Sequence, residues 1–153
     1  MDRYLDSSAA TDALGRQLAK ALKDPALLVI LKGELGAGKT ALVRAFLHGL
    51  GHPGRVRSPT YTLMEPYFLG GTQVLHLDLY RLGDPGELEF LGIRDLLDEK
   101  HIVLVEWPER AGDLLPMADL EVLLTYEGDG RRVRISAGTD RGRQLLLRLD
   151  AND

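Results

Sequence analysis

The sequence contains no cysteine. A disulfide framework and a thiolate metal site are therefore excluded, and nothing indicates an oxidising compartment. No apolar run approaches the ~20 residues that cross a bilayer. The opening residues, Met1-Asp2-Arg3-Tyr4, also lack the basic-then-apolar layout of a secretory leader. The expectation is a cytoplasmic protein with no membrane partner. An excess of positive charge is missing too: 19 Lys and Arg stand against 23 Asp and Glu, a formal charge of −4. Such a chain is not built to grip nucleic acid alone, so any nucleic-acid role is expected to run through a partner. At 153 residues the chain is expected to form a single domain, 1–153, with room for a real core but not for a second unit.

What is present is concentrated between Leu27 and Leu50. The apolar run Leu27-Leu28-Val29-Ile30-Leu31 leads into Gly33-Glu34-Leu35-Gly36-Ala37-Gly38-Lys39-Thr40, and Leu42, Val43, Phe46, Leu47 and Leu50 then mark one face of a helix. The eight central residues fit the pattern G-x-x-x-x-G-K-S/T, and each fixed position has a physical reason. The glycines let the backbone curl until successive N–H groups point at phosphate oxygens, the Lys39 ammonium reaches the β- and γ-phosphates, and the Thr40 hydroxyl ligates Mg²⁺. Strand, loop and helix are the context this motif requires, so the chain reads as a binder of a nucleoside triphosphate. ATP is expected rather than GTP. GTP-selective P-loop proteins carry an Asn-Lys-x-Asp base-reading motif, and the only asparagine here is Asn152.

Before the first of these strands, Leu14, Leu18 and Leu22 form an i, i+4, i+8 stripe that predicts an amphipathic helix over 9–22, with Ser7 or Ser8 as N-cap. Thr11 on its first turn either reaches the base or ribose or is an ordinary helix-start threonine. After the P-loop helix, Arg55 to Thr62 is a loop stiffened by Pro59. Switch proteins use a loop at this place to bring a hydroxyl to Mg²⁺ and sense the γ-phosphate, and Ser58, Thr60 and Thr62 are available for it. Met64–Leu69 and Gln73–Leu79 read as a hairpin around Gly70-Gly71.

Asp78 stands at the C-terminal end of its strand, where open α/β sheets place ligands, and either holds Mg²⁺ or caps the following loop. His76 shares its face; a lone histidine there is more often a hydrogen-bonded structural residue, and the sequence assigns it no role. Arg81 pairs with Asp78, neutralises phosphate or makes a surface ion pair. Asp84-Pro85-Gly86-Glu87 predicts a helix start, continuing to about Leu97. Ile102-Val103-Leu104-Val105 is a second fully apolar strand that delivers Glu106. Two carboxylates thus compete for the Walker B position, and the assignment places Glu106 at metal and water with Asp78 beside it. Trp107 reads as packing. Asp119–Tyr126 and Arg131–Ala137 form a further hairpin around Gly128-Asp129-Gly130, and Gln144–Leu149 is expected as a short strand. Arg131, Arg132 and Arg134 either blunt a sheet edge or touch nucleotide or partner.

In order, GELGAGKT, SPTYTL, HLDLYRL, DPGELEFLGIRDLL and VEWPER resemble the bacterial TsaE (YjeE) family, with a likeness that covers Thr11 to Ala137. The resemblance implies a small P-loop ATPase of tRNA threonylcarbamoyladenosine synthesis. It would join the TsaD and TsaB proteins, which transfer the threonylcarbamoyl group to an adenosine of ANN-reading tRNAs. Its ATP cycle would support their turnover, and tRNA would be met only indirectly. Carried onto matching positions, the resemblance implies that Gly36, Ala37, Gly38, Lys39 and Thr40 bind ATP, with Gly33 and Ala41 at the ends of that stretch. It implies that Thr40 and Glu106 hold Mg²⁺, and that Asp78, Thr60 and Trp107 occupy positions important for activity. The site candidates are then Glu106, Asp78 and Thr60 for catalysis, Thr40, Glu106 and Asp78 for the metal, and the P-loop with Thr11 for the nucleotide. The expected fold is a three-layer α/β sandwich of P-loop type with a mixed parallel and antiparallel sheet. Rival readings are a small-molecule phosphotransferase, which needs a lid for which the short inter-strand segments leave little chain, and a non-catalytic nucleotide-gated binding module, which has no use for Glu106 and Asp78.

Overall fold

Alternation of side-chain direction along a strand decides how each apolar run is used. The computed structural model describes residues 1–98 and 100–151. In it β1 (Asp2–Leu5), β2 (Leu27–Lys32), β3 (Met64–Leu69), β4 (Thr72–Asp78), β5 (Ile102–Glu106), β6 (Leu120–Glu127) and β7 (Gly130–Ala137) form a seven-stranded sheet in the order β1-β7-β6-β2-β5-β4-β3. Strand β2 is parallel to both β5 and β6, and β4 is parallel to β5. The pairs β3–β4, β6–β7 and β1–β7 are antiparallel.

In β2, Leu27, Val29 and Leu31 enter one core while Leu28 enters the other, and in β5 Ile102 and Leu104 are likewise separated from Val103 and Val105. Burial on both faces is what makes these central strands continuous apolar runs. The first face is covered by α1 (Ser8–Ala21), α2 (Lys39–Gly49) and α5 (Asp140–Asp150), through Leu14 and Leu18, Leu42 and Phe46, and Leu145 and Leu149. The second is covered by α3 (Glu87–Phe90), α4 (Ile93–Asp98) and a 3-10 turn at Pro108–Ala111, through Leu88, Ile93 and Ala111. The three-layer mixed α/β fold is thus the one the sequence predicts, and the C-terminal ends of β2, β4 and β5 meet at one rim. Among the described residues no helix is long and apolar enough to cross a membrane.

Three expectations need correction. The segment 140–150 is helical, not a strand. Thr139 caps it by accepting a hydrogen bond from the Gly142 N–H, and Leu145 and Leu149, one turn apart, face the core while Leu147 is exposed. The helix predicted from Asp84 to about Leu97 is two short helices, broken at Gly92, whose φ of 69° lies in the left-handed region. Asp84 holds the preceding turn, its Oδ1 accepting from the Gly86 N–H at 2.8 Å. Third, β7 is not an edge, because β1 pairs with it. Arg132 and Arg134 therefore do not blunt a free edge. They ion-pair across the strands with Asp2, and Arg132 also pairs with Glu127.

Asp119, buried just before β6, ties the sheet to α5. Its Oδ2 accepts from the Leu28 N–H at 2.7 Å and its Oδ1 from the Thr139 hydroxyl at 2.5 Å. Truncation would strand a buried backbone donor and loosen the α5 cap. Asp119→Ala is expected to destabilise the fold by about 2–3 kcal/mol, read as a lower urea midpoint with an unchanged slope. Asp119→Asn, which keeps one acceptor oxygen, should lose less.

Candidate functional site

The period of two that sorts the core also brings the polar groups together. Ile102, Leu104 and Glu106 share one face of β5, and Val74, His76 and Asp78 share the same face of β4, toward α2. Parallel register sets Asp78 directly beside Glu106 and His76 beside Leu104. The loop after β2 then wraps back over these strand ends and delivers Thr40 from the first turn of α2.

Glu106 is 2% exposed. The Thr40 hydroxyl donates to its carboxylate, lying 2.9 and 3.1 Å from the two oxygens, and His76 Nε2 is 2.9 Å from Oε1. His76 is fully buried, and among the described residues its Nδ1 has no hydrogen-bond partner. Its Nε2 hydrogen bond fixes one oxygen of the acid at the rim. Asp78 Oδ1 accepts from the Tyr80 N–H at 3.0 Å, and Ser58 Oγ lies 3.5 Å from its Oδ2. Ser58 and Thr60 are joined at 3.0 Å, so the loop at 55–62 presents both hydroxyls to the same place. Thr62 is not among the residues that line this cleft. Burial raises the Asp78 carboxyl above its ordinary pKa, opposed by the Tyr80 N–H and reinforced by the negative charge of Glu106.

Lys39 is also buried. Its ammonium donates to the carbonyls of Gly33 at 2.5 Å and Glu34 at 2.9 Å, and it lies 4.2 Å from the centre of the Trp107 ring. Burial pulls its pKa below the ordinary lysine value, while the carboxylates of Glu106 and Asp78 pull the other way. Trp107 itself has φ 57° and ψ 50°, a left-handed conformation that is costly for a bulky side chain. That backbone turns its ring toward Lys39 and against Tyr80, 5.0 Å between centroids. Packing alone does not describe Trp107, because it is one wall of the cleft. The signals available in the sequence were its position next to Glu106 and the family resemblance.

These groups line a cleft of roughly 550 Å³, together with Gly36, Gly38, Ala41, Tyr80 and Arg81. That is within the range of small-ligand sites. Gly38 has φ 107°, and a Cβ placed there would meet nothing within 4 Å, so it would project into open space above the loop. A phosphate fits this cradle. The donor set for a metal is all oxygen, two carboxylates and hydroxyls, which suits Mg²⁺ retaining part of its water shell. Three predicted site residues, Ala37, Thr11 and Gly33, do not line the cleft. Ala37 is buried beneath the loop, its N–H donating to the Glu34 carbonyl. Thr11 is buried on α1, its hydroxyl 3.5 Å from the Ser7 carbonyl. Gly33 borders a second cleft on the other side of the loop, with Tyr126 and Trp107. There Tyr126 donates its hydroxyl to the Leu35 carbonyl at 2.8 Å, and Arg131, stacked 4.1 Å from that ring, reaches the Gly36 carbonyl at 3.4 Å. Arg131 is thus the member of the arginine cluster that touches the P-loop.

Comparison with known proteins gives a consistent result. The family model for "Threonylcarbamoyl adenosine biosynthesis protein TsaE" matches residues 5–134. The tRNA threonylcarbamoyladenosine biosynthesis protein TsaE of Haemophilus influenzae is 42% identical over 150 residues, 95% of either chain. Its namesake in Bacillus subtilis is 33% identical, over 90% of this chain and 86% of that one. A crystal structure of YdiB from Bacillus subtilis superposes with a TM-score of 0.85 at 27% identity, covering 100% of this chain and 95% of that chain.

Proposed function

The chain belongs to the TsaE family of threonylcarbamoyl adenosine biosynthesis proteins, and from that premise we propose that it is a cytoplasmic, Mg²⁺-dependent ATPase of tRNA threonylcarbamoyladenosine synthesis. In this reading it hydrolyses ATP to support turnover of a transferase formed by TsaD and TsaB, and meets tRNA only through them. The observation that carries the ATPase reading is the contact of the Thr40 hydroxyl with Glu106, beside Asp78 and behind Lys39. A phosphate-binding lysine, a hydroxyl and two carboxylates are gathered at the C-terminal ends of parallel strands. A module that only bound nucleotide would have no use for two buried acids there.

In the proposed reaction a water oxygen bonds to the γ-phosphorus of ATP as the bond from phosphorus to the β–γ bridging oxygen breaks. ADP, inorganic phosphate and a proton leave. The backbone N–H groups of Gly36, Gly38, Lys39 and Thr40 hold the phosphates, and Lys39 exchanges its two carbonyl partners for phosphate oxygens. Glu106, fixed by Thr40 and His76, and Asp78, fixed by the Tyr80 N–H, supply acceptor oxygens that orient water. Thr40, Glu106 and Asp78 would hold Mg²⁺, which would supply charge neutralisation at the phosphates.

Lys39→Ala tests the nucleotide site. A hydrogen bond from a charged donor is worth about 1.5–3 kcal/mol, so ATP affinity by calorimetry should fall roughly 10- to 100-fold. Binding by the variant equal to that of the wild type would remove Lys39 from the site. A wild-type protein that neither binds ATP nor releases phosphate would overturn the reading.

A further inference from the structure

We propose that Arg81 is the second cation of the cleft and contacts the terminal phosphate of the bound nucleotide, with Tyr61 of the loop at 55–62 as its positioning residue. The proposal rests on the ATPase reading and adds to it a residue that distinguishes triphosphate from diphosphate.

The backbone of Arg81 is fixed, and among the described residues its guanidinium is held only against the Tyr61 ring. Leu79 and Leu82, on either side of the Tyr80-Arg81 pair, are 0% and 3% exposed in the second core, and the Leu82 N–H closes a tight turn on the Leu79 carbonyl at 3.0 Å. The Leu79 N–H is in turn bonded to the Glu106 carbonyl at 3.1 Å, and the Tyr80 N–H to Asp78. The two residues at the top of this turn are thereby held at the mouth of the site, next to both carboxylates. Arg81 lines the same cleft as Lys39, Thr40, Ser58, Thr60, Asp78 and Glu106. Lys39 and Arg81 are the cations among these lining residues, and Lys39 approaches from the P-loop side.

The sequence left three roles for Arg81, and the geometry separates them. Among the described residues Arg81 has no carboxylate within ion-pair distance, so it neither neutralises Asp78 nor forms a surface pair. Its guanidinium instead lies 5.0 Å from the ring centre of Tyr61, which is 86% exposed. A guanidinium over an aromatic face is held weakly and keeps its donors free. An arginine with a fixed backbone, no ion-pair partner among the described residues and a position in the cleft that Lys39 also lines is suited to a charge that arrives with the ligand. Tyr61 sits beside Thr60 in the loop that offers hydroxyls to the cleft, so wherever that loop is placed, the guanidinium is placed with it.

The test compares affinity for ADP and for a non-hydrolysable ATP analogue, adenosine 5′-(β,γ-imido)triphosphate, by calorimetry with Mg²⁺, alongside phosphate release. Arg81→Ala is expected to weaken the triphosphate analogue about 10-fold or more while ADP stays within about twofold, and to slow hydrolysis on the order of 10²-fold. Arg81→Lys should recover part of both. Tyr61→Ala should shift the triphosphate-to-diphosphate ratio in the same direction by less, and Tyr61→Phe should restore it, since the ring and not the hydroxyl is used. Both side chains are exposed, so the thermal midpoints should match the wild type. An unchanged ratio and rate in Arg81→Ala would overturn the proposal, as would equal weakening of both nucleotides, which would make Arg81 a general electrostatic contact. If Lys39→Ala abolishes binding in the same series, the ATPase reading survives that failure. Absence of binding by the wild type would remove the reading and this inference together.

Discussion

Glu106→Ala is expected to bind ATP within about threefold of the wild type and to release phosphate about 10²- to 10³-fold more slowly, the range seen when one preorganised polar group is removed from a reacting centre. Binding should survive because the groups that hold phosphate, the P-loop N–H groups and Lys39, do not depend on this carboxylate for their placement. Lys39 is held by the carbonyls of Gly33 and Glu34 and by the face of Trp107. Hydrolysis should not survive, because Glu106 is the meeting point of three elements: it ends β5, receives the Thr40 hydroxyl from α2, and receives His76 Nε2 from β4. Truncation leaves buried His76 and half-buried Thr40 without their acceptor, at about 1–3 kcal/mol, so the variant should also melt lower. Glu106→Gln separates the two effects, since it keeps the shape and one acceptor oxygen but removes the charge. It should fold like the wild type and still hydrolyse slowly. Wild-type phosphate release by Glu106→Gln would return the Walker B role to Asp78.

The parts of this site that could be read from the sequence are those whose reason is local. Each fixed residue of Gly33 to Thr40 answers to the shape of one loop, and Glu106 and Asp78 were visible because a carboxylate at the end of an apolar run is expensive unless used. Strands β2 and β5 declared themselves by being apolar on both faces. What the sequence hid depends on pairing over long separations. Four residues, Asp2–Leu5, carry no periodicity that marks a strand, and they form β1 because β7 offers them an edge. The run Gln144–Leu149 has the composition of either element. The Thr139 cap and the burial of Leu145 against Leu149 decide for a helix only once α5 lies on the sheet.

The same holds for the side chains of the cleft. Nothing near His76 in the sequence announces Glu106, thirty positions on, yet parallel pairing of β4 and β5 makes them hydrogen-bond partners. Tyr61 and Arg81, and Lys39 and Trp107, likewise meet only across elements. The left-handed backbone of Trp107 was also invisible, since sequence preference argues against a bulky residue there. A costly conformation at the residue after the buried Glu106 carboxylate is a mark of function more than of folding.

The largest effect expected is in trans: the isolated chain should hydrolyse ATP slowly, and its rate should rise by roughly 10³-fold or more when TsaD and TsaB are added, within the range known for P-loop proteins whose switch is completed by a partner. The structure gives two physical grounds. Lys39 is engaged by loop carbonyls and must be released from both before it serves phosphate. The loop at 55–62 is anchored by buried Val56 and Pro59, with Ser58, Tyr61 and Thr62 exposed. It ends at Leu63, whose φ of 64° is unusual for a branched side chain. The Leu63 carbonyl accepts from the Asp78 N–H at 3.0 Å, so the end of the loop is tied to the backbone of one of the two cleft carboxylates. A partner that seats on the exposed side of this loop would shift Ser58, Thr60 and the Asp78 surroundings as one unit, and by linkage nucleotide state would alter partner affinity to the same extent. Phosphate release should therefore be measured with TsaD and TsaB, singly and together, and association measured with ADP and with the non-hydrolysable triphosphate. A rate that does not change, with no association in either nucleotide state, would remove the proposed coupling. A rate that rises while affinity is the same for both nucleotides would leave activation in place but deny that the loop reports the γ-phosphate to the partner.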